Sequence, residues 1–115
     1  MNCEVWAVIV TYNPDIAVFE SGLSSLLPQV AAVVVVDNAS RNISEIRELT
    51  GPPSCRLVTL PDNQGIAHAQ NIGIELGVVS GATHILFLDQ DTILRPRTVS
   101  RLVAFCSSLQ DRKIQ

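Results

Sequence analysis

A doubly wound, mostly parallel α/β sheet is the fold class this sequence predicts, and three observations predict it. Short apolar runs alternate with stretches of helical composition, four of each along the chain. Two of the runs, Ala32 to Val36 and Ile85 to Leu88, are apolar at every position, as strands buried on both faces are. Three of the four end on polar residues: Thr11-Tyr12, Asp37-Asn38, and Asp89 with Asp91. The expected strand order is 3-2-1-4, which makes the first and fourth strands neighbours and brings those ends to the switch point where such sheets bind ligands.

Each element follows in turn. Val5 to Val10 reads as a buried strand, and Thr11-Tyr12-Asn13-Pro14-Asp15 supplies turn chemistry, with Asn13 the candidate N-cap and Pro14 suited to a first helical turn. A helix is expected from about Asp15 to Leu27, stopped by Pro28. Ala32 to Val36 is the second strand. A short helix from about Ser44 to Thr50 precedes the Gly51-Pro52-Pro53 break, and Arg56 to Leu60 makes a third, less apolar strand suited to an edge. Pro61-Asp62-Asn63-Gln64-Gly65 leads into a third helix through about Val79, whose Ala67, Ala69, Gly73 and Gly77 permit close approach of a neighbour. After the fourth strand, Pro96 opens a last amphipathic helix with Val99, Leu102, Val103 and Cys106 towards the core and Phe105 beside them.

The chain has 115 residues, 47% hydrophobic and 17% charged, which suits one soluble domain and leaves no room for a second. Its longest apolar stretch, Val30 to Val36, is far shorter than the roughly 20 residues a bilayer span needs. The N-terminus lacks a basic segment followed by an apolar one, so a cytosolic protein is expected, and the Asn38 and Asn42 glycosylation patterns are discounted. Cys3, Cys55 and Cys106 are odd in number and widely spaced, and read as reduced structural thiols. A net charge of -3 with 4% aromatics argues against a nucleic-acid surface. His68 and His84 show no spacing for a shared metal.

The chemistry gathers at the strand ends. Asp89 and Asp91 stand where an apolar strand leaves the core, and in extended backbone both point to one side, where they repel one another. Taken alone, such a pair is a solvated strand end, and Asp37-Asn38 is turn-capping chemistry. Together they form an acceptor-rich rim. "TYNPD" lacks the glycine fingerprint of a dinucleotide site, and no phosphate-cradling loop ending in Gly-Lys-Ser/Thr occurs. Carboxylates repel a diphosphate, and a hard divalent cation, Mg²⁺ or Mn²⁺, reconciles the two.

Four stretches in this order, "VIVTYNP", "VVVVDNAS", "DNQGIAHAQNIGI" and "FLDQDT", cover most of the chain and resemble the glycosyltransferases of family 2, with the GT-A fold, and within them the rhamnosyltransferase-like group. The resemblance implies that Thr11 and Tyr12 border a nucleoside pocket, that Asp37 accepts from the pyrimidine ring N–H, that Asp89 lies near the ribose, and that Asp91 holds the Mg²⁺ or Mn²⁺ bridging the diphosphate. Asn63, Gly65, Gln70 and Asn71 line or shape the same cleft, with Gln70 where many relatives carry arginine. It implies an inverting hexosyltransferase of polysaccharide biosynthesis. The favoured donor is deoxythymidine-diphosphate rhamnose, with a uridine-diphosphate sugar as the other candidate, and the acceptor is a saccharide or lipid-linked saccharide. No residue here is assigned as general base, since the chain corresponds to the nucleotide-sugar-binding half of the domain and the base belongs to an acceptor-binding half beyond it. In the full-length protein a place at the inner membrane face is consistent with a cytoplasmic enzyme. A non-catalytic nucleotide-binding module is the alternative. A response-regulator-like switch ranks last, because "TYNPD" offers only Asp15 where that reading needs an acidic pair. An uncovered fourth strand also predicts self-association.

Overall fold

The computed structural model describes residues 3–114. In chain order it runs β1 (Val5–Thr11), α1 (Ile16–Leu26), a 3₁₀ turn (Leu27–Gln29), β2 (Ala32–Asp37), α2 (Ile43–Leu49), β3 (Cys55–Thr59), α3 (Ile66–Val79), β4 (His84–Leu88) and α4 (Thr98–Ile114). The strands make one parallel sheet in the order β3-β2-β1-β4, as the alternation predicts, with β3 at one edge. The register sets the site: Thr11 pairs with Asp37, whereas β4 is in register with β1 only as far as Ile9 and Leu88. The chain after Leu88 therefore runs beside the last residues of β1.

The period of two along each strand divides the core into two layers. Val5, Ala7 and Ile9 of β1, with Val33 and Val35 of β2, meet Phe19, Leu23 and Leu26 of α1, Ile46 of α2 and Val99 of α4. Trp6, Val34 and Val36 turn the other way, towards Ala69, Ile72 and Leu76 of α3. One helix covers that second face by lying very close: a Cβ on Gly73 would run into the side chain of Val8, so only glycine permits the approach. Both faces of β2 are covered, which accounts for its being apolar at every position.

Three local expectations are corrected. Asp15, not Asn13, caps α1, its carboxylate accepting from the Val18 N–H at 3.2 Å. Asn13 adopts a left-handed conformation (φ 46°) and accepts instead from the Arg41 N–H at 2.8 Å, tying the β1 turn to the β2 turn. β4 is not buried on both faces: Phe87 is 43% exposed, because β4 is an edge strand and α3 lies over β1 and β2. On α4, Val99 and Val103 face the core, but Leu102 and Phe105 are 44% and 61% exposed and Cys106 is exposed too. A sheet four strands wide gives that helix only one strip to pack on. Among the described residues no helix is long and apolar enough to cross a membrane.

Candidate functional site

At the carboxyl ends of β1, β2 and β4 a cleft of about 440 Å³ opens on the α3 side of the sheet. Its walls differ in chemistry. Asn38, Asn63 and Gln70 bring amides from the β2 end and the α3 entry; Asp89, Gln90 and Asp91 bring the acidic turn after β4. Tyr12 stands between them, over an apolar base of Val10, Ile66 and Leu88.

Beneath the cleft lies a closed polar knot. Thr11 Oγ1 donates to Asp37 Oδ1 at 2.7 Å, the Ser40 hydroxyl donates to the same oxygen at 2.5 Å, and the Ser40 N–H donates to Asp37 Oδ2 at 2.8 Å. Asp37 is 1% exposed, so its carboxylate is spent on the turn. That turn carries Ala39 in a left-handed conformation (φ 64°), a strain of order 1–2 kcal/mol that the knot holds in place.

Asn38 points the other way. Its Nδ2 donates to the Gly65 carbonyl at 3.2 Å and its Oδ1 accepts from the Gln64 N–H at 3.1 Å, so it fixes the α3 entry to the end of β2. Gly65 precedes α3 at φ 85°, a conformation that favours glycine, and its N–H donates to Asn63 Oδ1 at 3.0 Å.

Across the cleft, the side-chain amide of Gln90 behaves like one more residue of strand. Its Oε1 accepts from the Tyr12 N–H at 2.9 Å and its Nε2 donates to the Tyr12 carbonyl at 3.3 Å. Pairing between β1 and the chain after β4 thus continues past Leu88, and the Thr92 N–H closes the turn on the Asp89 carbonyl at 3.1 Å. Asp89 and Asp91 are exposed on this turn, with no basic side chain among the cleft's lining.

Of the residues the sequence singled out, the structure brings Tyr12, Asn63, Gln70, Asp89 and Asp91 to one cleft. Thr11 and Asp37 are sealed under it, and Gly65 and Asn71 are exposed but outside its lining. Strand alternation explains the split: Thr11 and Asp37 continue the phase of Ile9 and Val35 towards α1, whereas Tyr12 and Asn38 continue that of Val10 and Val36 towards α3. Gln90 is the site residue that motif reading passes over, because its role is to the backbone of Tyr12. Among the described residues no group of three His, Cys, Asp or Glu stands together as a metal centre. All three cysteines are free, and burial pushes the Cys55 thiol up to about 11 against a smaller opposing effect of its hydrogen bond to the Gly51 backbone, which leaves it inert.

Comparison with known proteins gives this geometry a context. The family model described as Glycosyl transferase family 2 matches residues 6–111. The chain is 39% identical over 105 residues to dTDP-rhamnosyl transferase RfbF of Shigella flexneri, covering 91% of this chain and 35% of that protein. It therefore spans about a third of that relative's length. Among solved structures, S. aureus TarS 1-349 in complex with UDP-GlcNAc superposes with a TM-score of 0.70 at 21% identity, over 91% of this chain and 31% of that one. S. aureus TarS itself gives 0.62 at 20% identity, over 91% and 20%. These likenesses show the GT-A, Rossmann-like fold.

Proposed function

The chain belongs to glycosyl transferase family 2, and from that premise we propose that its cleft receives the nucleotide-diphosphate end of an activated sugar for transfer to a saccharide or lipid-linked acceptor. The observation that carries this reading is the division of one cleft into an amide wall and an acidic wall. Uncharged amides suit a nucleoside, and exposed carboxylates suit a cation that a diphosphate also needs. The Shigella relative is a dTDP-rhamnosyl transferase, which favours deoxythymidine-diphosphate rhamnose over a uridine-diphosphate sugar as donor.

Asn38 takes the ring-recognition role that the family resemblance gave to Asp37. Its amide keeps one donor hydrogen and one acceptor lone pair beyond its bonds to Gly65 and Gln64, and the imide edge of thymine or uracil presents the complementary N–H and carbonyl. Asp37 acts beneath it, holding the turn from which Asn38 projects. Asp89 serves the ribose.

The donor set fits Mg²⁺ or Mn²⁺. Asp89 and Asp91 offer hard oxygen ligands, and the lack of a third acidic, His or Cys ligand among the described residues leaves positions for phosphate oxygens and water, as Mg²⁺ sites commonly do. Asp91 would hold the ion, whose charge, when bound, stabilises the departing diphosphate. Inversion requires a base on the face of the sugar opposite that leaving group. Tyr12, Asp89 and Asp91 are the titratable side chains of the cleft and all serve the donor, so we assign the base outside residues 1–115.

Titration calorimetry of the chain with deoxythymidine diphosphate tests the reading. Binding is expected to be tighter with Mn²⁺ than without, and Asn38→Ala is expected to lose about 1 kcal/mol in both conditions. Equal affinity with and without metal would remove the acidic wall's role. A second copy of the chain is a further partner in this reading, since β4 pairs only with β1 among the described residues and Leu102, Phe105 and Leu109 are exposed on α4. Light scattering of concentrated protein should then show a species larger than a monomer; a strictly monomeric sample contradicts it.

A further inference from the structure

Helix α1 contributes no residue to the cleft, yet it is the element on which the acidic turn rests. Gly22 is buried in the middle of α1, and a Cβ built there would stand 2.5 Å from the carbonyl oxygen of Thr92, the residue after Asp91. Backbone, not a flexible side chain, occupies that space. One turn further along α1, the Ser25 hydroxyl donates to the Gly22 carbonyl at 2.7 Å and accepts from the Leu94 N–H at 2.9 Å. Gln29, in the 3₁₀ turn, uses its Nε2 to donate to the carbonyls of Ser25 and Arg95 at 2.9 and 3.0 Å, and its Oε1 to accept from the Val99 N–H at 3.0 Å, in the first turn of α4. The chain from Thr92 to Val99 is therefore stitched to α1 and the turn behind it.

On the other side of Asp91, Gln90 is held to the backbone of Tyr12 by two hydrogen bonds. Asp91 thus has anchored neighbours on both sides while its own carboxylate stays exposed. We propose that Gly22 and Ser25 are positioning residues for Asp91: they fix the backbone of the acidic turn from outside the cleft and so set the point at which its carboxylate meets a divalent cation. The inference rests on the reading of Asp91 as the cation's ligand. Small hard cations tolerate little displacement of their oxygen ligands, so a shift of the turn that leaves the cleft open still weakens the metal-bridged contact.

The test compares Gly22→Ala, Ser25→Ala, Ser25→Thr and Asp91→Asn in calorimetric titrations with deoxythymidine diphosphate, with and without Mn²⁺, alongside thermal melting. Gly22→Ala and Ser25→Ala are expected to reduce the Mn²⁺-dependent gain in affinity by about tenfold or more while metal-free affinity is unchanged. Ser25→Thr, which keeps the hydroxyl, is expected to restore the gain. Should Gly22→Ala fold poorly, the Ser25 pair carries the same comparison. The inference is overturned if Asp91→Asn abolishes the gain but Gly22→Ala and Ser25→Ala retain it. It is equally overturned if Ser25→Ala lowers metal-free affinity and melting temperature together and Ser25→Thr restores neither. If Asp91→Asn itself keeps the gain, the assignment of Asp91 fails and the inference falls with it.

Discussion

Asp37→Ala is expected to lower the stability of the chain by about 3 kcal/mol, a large part of what a domain of this size possesses. The side chain is buried without a basic partner and accepts from three donors, the hydroxyls of Thr11 and Ser40 and the Ser40 N–H. Removing it strands an amide that cannot turn away and two hydroxyls with little room to find water. Asp37→Asn should cost less, because one acceptor oxygen remains and the hydroxyls can rotate to donate elsewhere or accept from the new amide. Urea denaturation followed by circular dichroism measures both, with a lowered midpoint and an unchanged slope as the expected outcome. An Asp37→Ala midpoint equal to that of the unmutated chain would show that the knot under the cleft is not structural.

The second large effect concerns Asp91→Asn. With Mn²⁺ present, affinity for deoxythymidine diphosphate is expected to fall by about 2 kcal/mol, or roughly thirtyfold, because the amide contributes no charge to the ion. Without metal the sign reverses: an anion beside a diphosphate repels it, and removing that anion should leave metal-free affinity unchanged or slightly raised. Asp89→Asn differs in kind. A carboxylate that serves the ribose acts whether or not metal is bound, so its loss should weaken both titrations. Parallel behaviour of the two variants would contradict the division of labour between them.

Much of this was legible in the sequence for physical reasons. Apolar runs at Ala32 to Val36 and at Val5 to Val10 report burial on both faces, and four strand and helix units leave few topologies other than the one found. The same pattern misleads at Ile85 to Leu88, where an apolar run sits at a sheet edge and Phe87 is left exposed. Composition reports what a strand tolerates, not how many neighbours it has. The choice between Asp37 and Asn38 was available from strand alternation, since Asp37 shares the phase of Val33 and Val35; charge drew attention to the wrong member of the pair for lining the cleft. Gln90 and Gly22 were not legible. Each acts through a backbone atom of a distant segment, Tyr12 in one case and Thr92 in the other, and only the register of β1 with β4 and the seat of α1 reveal those contacts.

Paramagnetic broadening tests the central claim, that a divalent cation and a nucleotide diphosphate meet at the turn after β4. In an amide correlation spectrum of the isotopically labelled chain with deoxythymidine diphosphate, substoichiometric Mn²⁺ is expected to erase the signals of Gln90, Asp91 and Thr92 first, followed by those of Tyr12 and Asn63. Signals from α2 and β3, away from the cleft, should persist. Uniform broadening, or selective loss at any acidic cluster other than Asp89 and Asp91, would contradict the account.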